Sequence, residues 1–165
     1  RLRLDQVWWI ISPGNPLKDT DGLPALADRI AAARALARDP RIIVTDIEAQ
    51  AGTRYTVDTL RLLRRRCPGV RFVWVMGADI LGEFHLWRDW RSIFELIPIA
   101  VIDRGGLKTA PLAAKAAHRF ARYRLPEHAA GALAGLRPPA WMFLTGLKMP
   151  LSSTQLRKKS FMVNL

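Results

Sequence analysis

Residues 72–79 read Phe-Val-Trp-Val-Met-Gly-Ala-Asp, an apolar run that stops at a glycine and is followed by a carboxylate. An apolar run of this length before a turn signal is typical of a strand buried on both faces. In an open α/β sheet, ligands bind beyond the carboxyl ends of the strands. Asp79, and Trp87 behind it, are therefore candidates for contacting a nucleotide. Taken alone, however, the stretch favours a simpler interpretation, in which Asp79 caps the next helix and Trp87 belongs to the core.

Four other apolar runs of strand length alternate with segments of helical periodicity along the chain. This alternation predicts an α/β fold, a Rossmann-like, doubly wound parallel sheet with helices on both faces. The sequence shows no repeat or linker, so one domain spanning residues 1–165 is expected. The other predicted strands are residues 7–11, 42–44, 97–102 and 141–144, and the predicted helices are residues 23–37, 56–66 (capped by Thr56 or Asp58), 79–96 and 111–123.

The balance of charge favours polyanionic or phosphorylated partners. The 165 residues include 26 Lys and Arg against 14 Asp and Glu, a formal net charge of +12. The densest basic cluster, Arg61 with Arg64–Arg66, falls at the predicted end of a helix. Positive charge there complements the helix dipole and faces water. We interpret the cluster as a solvated helix end, so nucleic acid is not the expected partner.

Other features of the composition narrow the class of protein. No apolar run approaches the roughly 18 residues that a membrane helix needs, so no membrane partner is expected. The single cysteine, Cys67, has no partner for an internal disulfide, which favours a cytoplasmic protein. The three histidines are far apart and lack metal-ligand spacing, so no metal site is predicted. Generic phosphate-binding signatures rich in glycine are also missing.

Polar residues follow every predicted strand, and in a parallel sheet the loops after the strands emerge at one edge. Lysine and arginine neutralise phosphates, and a Ser-Ser-Thr helix start offers backbone N–H groups to an anion. Each residue alone is explained as a cap, a turn or a surface ion pair, but together they predict a nucleotide phosphate site. The set comprises Asn15, Lys18, Tyr55, Thr56, Asp58, Gly77, Asp79, Asp103, Arg104 and residues 152–157.

Four motifs occur in a fixed order along the chain. They are Pro-Gly-Asn-Pro-Leu-Lys at 13–18, Tyr-Thr-Val-Asp-Thr-Leu at 55–60, Gly-Ala-Asp at 77–79 with Trp87 and Trp90 behind it, and Ser-Ser-Thr-Gln-Leu-Arg at 152–157. With these motifs the chain resembles bacterial nicotinate-mononucleotide adenylyltransferases, of the nucleotidyltransferase superfamily with the His-x-Gly-His motif. The second and third motifs are the more specific for the nicotinate branch, whereas the fourth is shared more widely.

The resemblance implies an activity and a role for each matching residue. Such enzymes join ATP and nicotinate mononucleotide into deamido-NAD and pyrophosphate, by in-line attack on the α-phosphorus of ATP in the presence of Mg²⁺. Tyr55, Thr56 and Trp87 would bind nicotinate mononucleotide, with Thr56 beside the ring and its carboxylate and Trp87 stacked on the ring. ATP, through its ribose and phosphates, would contact Lys18, Gly77, Asp79, Ser153, Thr154 and Arg157.

One part of the family pattern is missing from the sequence. Its Gly-Gly-x-Phe-x-Pro-x-His-x-Gly-His segment, which carries two phosphate-stabilising histidines, does not occur, so no catalytic residue is assigned. The strand of that segment would lie between strands 7–11 and 72–76, whose facing edges are therefore expected to be unpaired. We interpret the sequence as an N-terminally truncated or degraded member, expected to bind its substrates weakly and to turn over little.

Several alternatives stay open at this point. Another adenylyl- or cytidylyltransferase, such as one acting on phosphopantetheine, fits the shared motif, although Trp87 and residues 55–60 argue against it. The net charge permits a non-catalytic nucleic-acid-binding domain, whose affinity would depend steeply on salt. A non-catalytic remnant that needs a partner for its sheet is a third alternative. The sequence determines neither a homo-oligomeric state nor the preference between nicotinate and nicotinamide mononucleotide.

Overall fold

A computed structural model describes residues 1–14, 22–103 and 110–145, and its elements follow the predicted α/β order. None of the helices in these residues is both long and apolar enough to cross a membrane. The strands are β1 (Val7–Ile10), β2 (Ile42–Thr45), β3 (Trp74–Gly77), β4 (Ile99–Ile102), β5 (Arg124–Leu125) and β6 (Trp141–Leu144). The helices are α1 (Leu26–Leu36), α2 (Ile47–Ala51), α3 (Thr56–Arg66), α4 (Ala78–Glu83), α5 (Trp90–Leu96) and α6 (Lys115–Arg119), with 3-10 turns at Phe84–Leu86, Ala110–Ala113, Ala121–Tyr123 and Glu127–Gly135.

The strands pair in two parallel sheets, and the break between them falls where the sequence predicted unpaired strand edges. β1 pairs with β2, and the second sheet has the order β3-β4-β6-β5. Within the described residues β1 and β3 do not pair with each other, as expected for strands 7–11 and 72–76. The two sheets approach through side chains instead, because Trp8 meets Phe72 edge-on with ring centroids 5.9 Å apart.

The carboxyl ends of three strands in the larger sheet lie at one level. The parallel register places Gly77 of β3 beside Ile102 of β4, and Ile102 beside Leu144 of β6. Just beyond this level, the backbone N–H of Asp103 donates to the carbonyl oxygen of Leu144 at 2.9 Å. The predicted convergence of strand ends is therefore confirmed for β3, β4 and β6.

An aromatic cluster fills the core between the larger sheet and the helices that pack on it. Phe94 of α5, fully buried, stacks on Phe120 with ring centroids 4.2 Å apart and interplanar angle 6°. It also meets Phe84 and Trp141 edge-on, at 5.6 Å and 6.3 Å. Trp90 is 7% exposed and packs edge-on against Phe120, so it is a packing residue.

Two of the predicted helices are interrupted in the structure. The segment 79–96 is divided into α4, a 3-10 turn and α5: Trp87 is extended after the turn, and Asp89 adopts a left-handed backbone with φ of 49° immediately before α5. A left-handed residue cannot continue a right-handed helix. The segment 111–123 is divided into 3-10 turns and the short α6, and β5 follows it as an additional strand beside β6.

The helix starts also differ from the predicted ones. The residue before the first turn of α3 is Tyr55, which makes no side-chain capping bond, so neither Thr56 nor Asp58 caps this helix. The corresponding residue of α4 is Gly77, which places Asp79 inside the first turn. The simple interpretation of Asp79 as the helix cap is therefore wrong. An acidic residue in a first turn still interacts favourably with the helix dipole.

Replacing Phe94 by alanine should lower the free energy of unfolding by about 3–5 kcal/mol, because the change leaves a cavity among its aromatic neighbours. Urea denaturation followed by circular dichroism measures the effect. The matched control is Leu36→Ala, since Leu36 is 72% exposed and its truncation should change stability by less than about 0.5 kcal/mol. Equal effects of the two substitutions would show that the aromatic cluster is not the core.

Candidate active site

A cavity of about 380 Å³ opens where the chain leaves β1 and where α3 begins. It brings together Tyr55, Thr56 and Trp87, the three residues assigned to one ligand by the sequence. Aromatic, basic and small residues dominate its surface. The lining residues are Ile10, Ser12, Gly14, Glu48, Arg54, Tyr55, Thr56, Trp74, Leu86, Trp87 and Arg88.

One wall of the cavity is the amino-terminal end of α3. The carbonyl oxygen of Tyr55 accepts the first helical hydrogen bonds, from the N–H groups of Asp58 at 2.9 Å and Thr59 at 3.2 Å. The Tyr55 side chain makes no hydrogen bond that caps the start of the helix. A helix end of this kind carries partial positive charge and exposed donors. The wall formed by Tyr55 and Thr56 therefore favours an anionic group.

Another part of the lining is the indole of Trp87, which is half-buried. Its backbone N–H donates to the carbonyl oxygen of Phe84 at 3.1 Å, and its ring lies 5.0 Å from the Phe84 ring at an angle of 43°. Phe84 is fully buried. Trp87 therefore combines both interpretations of the sequence, because it packs on the core and also lines the cavity.

Basic side chains lie at the rim of the cavity. The guanidinium of Arg88 sits over the Tyr55 ring, 4.6 Å from its centroid. Arg88 Nη1 is 4.0 Å from Oδ2 of Asp58, which is an ion pair but too long for a hydrogen bond. Arg54 lines the same cavity. Both arginines are exposed, so each presents its charge to the cavity and to water.

Glu48 is a buried carboxylate that sequence reasoning missed. It is 7% exposed, and its Oε1 accepts a hydrogen bond from the Thr59 hydroxyl at 3.1 Å. The Thr59 hydroxyl lies in turn 2.9 Å from that of Thr53. A glutamate in the first turn of a short helix is ordinarily exposed, and nothing in the local sequence distinguishes Glu48 of α2 from a surface residue. The residue that donates to it, Thr59, lies on the following helix, α3.

Arg29 is a second residue without a sequence signal, and it fixes the loop after β1. Its guanidinium donates to the carbonyl oxygens of Ser12 at 2.8 Å, Pro13 at 3.0 Å and Pro24 at 3.2 Å. Ser12 lines the cavity. A helical arginine on α1 therefore positions the rim of the cavity from outside it.

An ion-pair network connects α3 to the chain entering α5. Arg61 donates to Asp89 Oδ2 at 2.5 Å and to Asp58 Oδ1 at 3.3 Å. The Ser92 hydroxyl donates to Asp89 Oδ1 at 2.7 Å. The hydrogen bond from Ser92, followed by that from Arg61, holds the pKa of Asp89 below its ordinary value. This network fixes the helix that carries Thr56 relative to the loop that carries Trp87.

The remaining predicted residues lie away from the cavity or outside the described chain. Gly77 and Asp79 are at the carboxyl end of β3 and do not line the cavity. The cavity therefore contains the three residues predicted to bind the mononucleotide, but neither Gly77 of β3 nor Asp79 of α4. Lys18, Ser153, Thr154 and Arg157 lie outside the described residues, as do Asn15, Arg104 and Ser152.

A parallel α/β fold with an aromatic and basic cavity beside its strands is an arrangement found in nucleotide-binding proteins. Residues 1–159 match the cytidylyltransferase-like family, and the chain belongs to this family. The family match covers both sheets and the cavity. It confirms the nucleotidyltransferase superfamily predicted from the motifs.

Individual proteins of known sequence are also similar to this chain over most of its length. The chain is 57% identical over 157 residues to a protein of a Bradyrhizobium species, covering 95% of this chain and 82% of that protein. It is 55% identical over 159 residues to one of Methylorubrum extorquens, covering 96% and 86%. It is 51% identical over 158 residues to one of Brucella suis, covering 96% and 81%. All three are named "Probable nicotinate-nucleotide adenylyltransferase", the family to which the motifs pointed.

Replacing Asp89 by asparagine should lower the free energy of unfolding at pH 7 by about 0.2–1 kcal/mol, the range of exposed ion pairs. Asparagine also tolerates the left-handed backbone, so the change removes charge without adding strain. Because the pKa of Asp89 is lowered in the folded protein, its stabilisation is present above the ordinary aspartate pKa, about 4, and is lost as pH falls through the lowered value. The difference between the two proteins should therefore shrink toward pH 3.

Urea denaturation of both proteins at pH 7 and at pH 3 measures this difference. The control is Glu95→Gln on the same helix, since Glu95 is exposed and has no ion pair among the described residues. It should leave stability unchanged at both pH values. A difference for Asp89→Asn that stays constant with pH would contradict the assigned role of its charge.

Proposed function

We propose that the cavity binds nicotinate mononucleotide and that the protein acts in the transfer of the adenylyl group of ATP to it with release of pyrophosphate, with little turnover expected of residues 1–165, in which the family's His-x-Gly-His motif does not occur. The product is deamido-NAD, so the reaction belongs to NAD biosynthesis. The observation that carries this proposal is the meeting of Tyr55, Thr56 and Trp87 in one cavity. Trp87 is far from the other two in the sequence, and all three were assigned to one ligand from the motifs alone. The names of the relatives support the same reaction.

The pyridine ring of the ligand stacks on Trp87. An indole is the side chain with the largest stacking surface, and a flat ring placed on it is stabilised by dispersion and electrostatics. Stacking requires an indole that does not move, because ordering a mobile side chain costs conformational entropy. Trp87 meets this requirement, since its ring packs on the fully buried Phe84.

The acidic groups of the ligand are stabilised by the positive lining. Nicotinate mononucleotide carries a ring carboxylate and a phosphate, and it meets the positive end of α3 at Thr56 together with Arg54 and Arg88. Glu48 is the one carboxylate in the described lining, and it accepts a hydrogen bond from Thr59. Positive charge therefore exceeds negative charge around the described part of the cavity, as an anionic ligand requires.

ATP binds along the carboxyl ends of the larger sheet, beside the mononucleotide. Asp79 accepts hydrogen bonds from ribose hydroxyls next to Gly77, and Lys18, Ser153, Thr154 and Arg157 bind the phosphates. Mg²⁺ enters as the complex of ATP, as part of the substrate. The described residues contain no group of three or more His, Cys, Asp or Glu side chains placed to hold a metal ion.

The transfer is a single in-line displacement. A phosphate oxygen of the mononucleotide forms a bond to the α-phosphorus of ATP while the bond from that phosphorus to the bridging oxygen breaks and pyrophosphate leaves. The protein contributes position and charge rather than a covalent intermediate. We propose that residues 1–165 act as one domain in the cytoplasm, without a membrane partner.

Tryptophan fluorescence tests the ligand assignment, because two of the six tryptophans, Trp74 and Trp87, line the cavity. Titration with nicotinate mononucleotide should give saturable quenching. The substitution Trp87→Leu should weaken binding by about 5- to 150-fold, since stacking of a base on an aromatic side chain contributes about 1–3 kcal/mol. Trp9→Phe is the control, because Trp9 lies on β1 and does not line the cavity.

A parallel titration with phosphopantetheine separates this proposal from the related transferases. The expected result is no saturable quenching by phosphopantetheine. Binding of phosphopantetheine in place of nicotinate mononucleotide would assign the chain to another branch of the superfamily. Absence of binding by the mononucleotide would refute the proposed function.

A further inference from the structure

We propose that Arg88 makes the cavity selective for nicotinate over nicotinamide nucleotides, by pairing its guanidinium with the ring carboxylate that only nicotinate carries. The inference rests on the proposed function and adds a specificity-determining residue to it. The two ligands share the ribose, the phosphate and the pyridinium ring. They differ in one group, which is a carboxylate in one and a neutral amide in the other.

The position of Arg88 places its charge beside the proposed ring site. It follows Trp87 directly in the chain, and its guanidinium lies on the ring of Tyr55, 4.6 Å from the centroid. Tyr55 in turn precedes Thr56, which begins α3. Arg88 is therefore connected to both of these parts of the lining, to one by a peptide bond and to the other by a cation–π contact.

The guanidinium has hydrogen-bonding capacity that the described residues do not use. Its nearest carboxylate, that of Asp58, is 4.0 Å away, and the other oxygen of that carboxylate accepts a hydrogen bond from Arg61. Arg88 donates no side-chain hydrogen bond to a described residue, whereas a guanidinium has five N–H donors. Its planar fork matches the two oxygens of a carboxylate.

Arg54, the other basic residue of the lining, is less suited to this role. Within the described residues it has no ring contact or ion pair that fixes its side chain, so binding a ligand would have to order it at an entropic cost. The Tyr55 ring already restricts Arg88. Restricting the cation before the ligand arrives favours one geometry, and selection between a carboxylate and an amide depends on geometry as well as charge.

Arg88→Gln tests the inference, with binding measured by tryptophan fluorescence for nicotinate mononucleotide and nicotinamide mononucleotide in parallel. Affinity for the nicotinate ligand should fall about tenfold, the size expected for a charge-assisted hydrogen bond at an exposed site. Affinity for the nicotinamide ligand should change less than about threefold, because its neutral amide gains little from a nearby cation. Arg88→Lys, which keeps the charge but loses the planar fork, should retain part of the preference.

The matched control is Arg91→Gln. Arg91 is also exposed and lies over an aromatic ring, that of Trp90 at 4.9 Å, but it does not line the cavity. It should leave both affinities unchanged. Circular dichroism and thermal unfolding of each variant should match the unsubstituted protein, because Arg88 and Arg91 are both exposed.

The possible results distinguish a failure of the inference about Arg88 from a failure of the proposed function. If the unsubstituted protein binds neither nucleotide, the proposed function fails and the inference fails with it. If it binds both equally, or if Arg88→Gln keeps the preference, only the inference is overturned. Equal losses for both ligands would also overturn it, because they would place the guanidinium on the shared phosphate.

Discussion

The stack of Phe94 on Phe120, at 4.2 Å, is the contact on which the cavity depends. Phe94 also meets Phe84, and Phe84 supports the indole of Trp87. A continuous line of rings therefore runs from the centre of the core to the wall of the cavity. Since close-packed interiors transmit small displacements, the orientation of the stacking residue is set by packing that contacts no ligand. The indole of Trp87, which lines the cavity, is therefore the last ring of a series that begins in the hydrophobic core.

Charged side chains form a second series of contacts, which lies at the protein surface. Arg88, Asp58, Arg61 and Asp89 alternate in sign, and each interacts with the next. Exposed ion pairs contribute little stability individually. Their arrangement has another effect, because Asp58 is shared by two arginines and leaves Arg88 only partly neutralised. The network therefore fixes two helices in place while positive charge remains at the rim of the cavity.

The sequence predicted those parts of the molecule that depend on local pattern. The apolar runs located β2 and β6 to within a residue, whereas the grouping of Thr56 with Trp87 came from the motif resemblance. The sequence did not predict the roles of Glu48 or Arg29. The partner of Glu48 is a hydroxyl distant in the sequence and those of Arg29 are backbone carbonyl oxygens, and neither kind of partner can be recognised from a sequence pattern. The sequence prediction also joined α4 to α5, because nothing in the sequence marks the left-handed backbone of Asp89, whose side chain contacts the distant Arg61 and the nearby Ser92.

The division of the strands into two sheets determines which parts of the chain contribute to the cavity. In the described chain no ladder of backbone hydrogen bonds joins β1 to β3, and Trp8 meets Phe72 edge-on between them. Ser12, which follows β1, and Trp74 of β3 both line the cavity. A ligand in the cavity would therefore contact residues of both sheets at once.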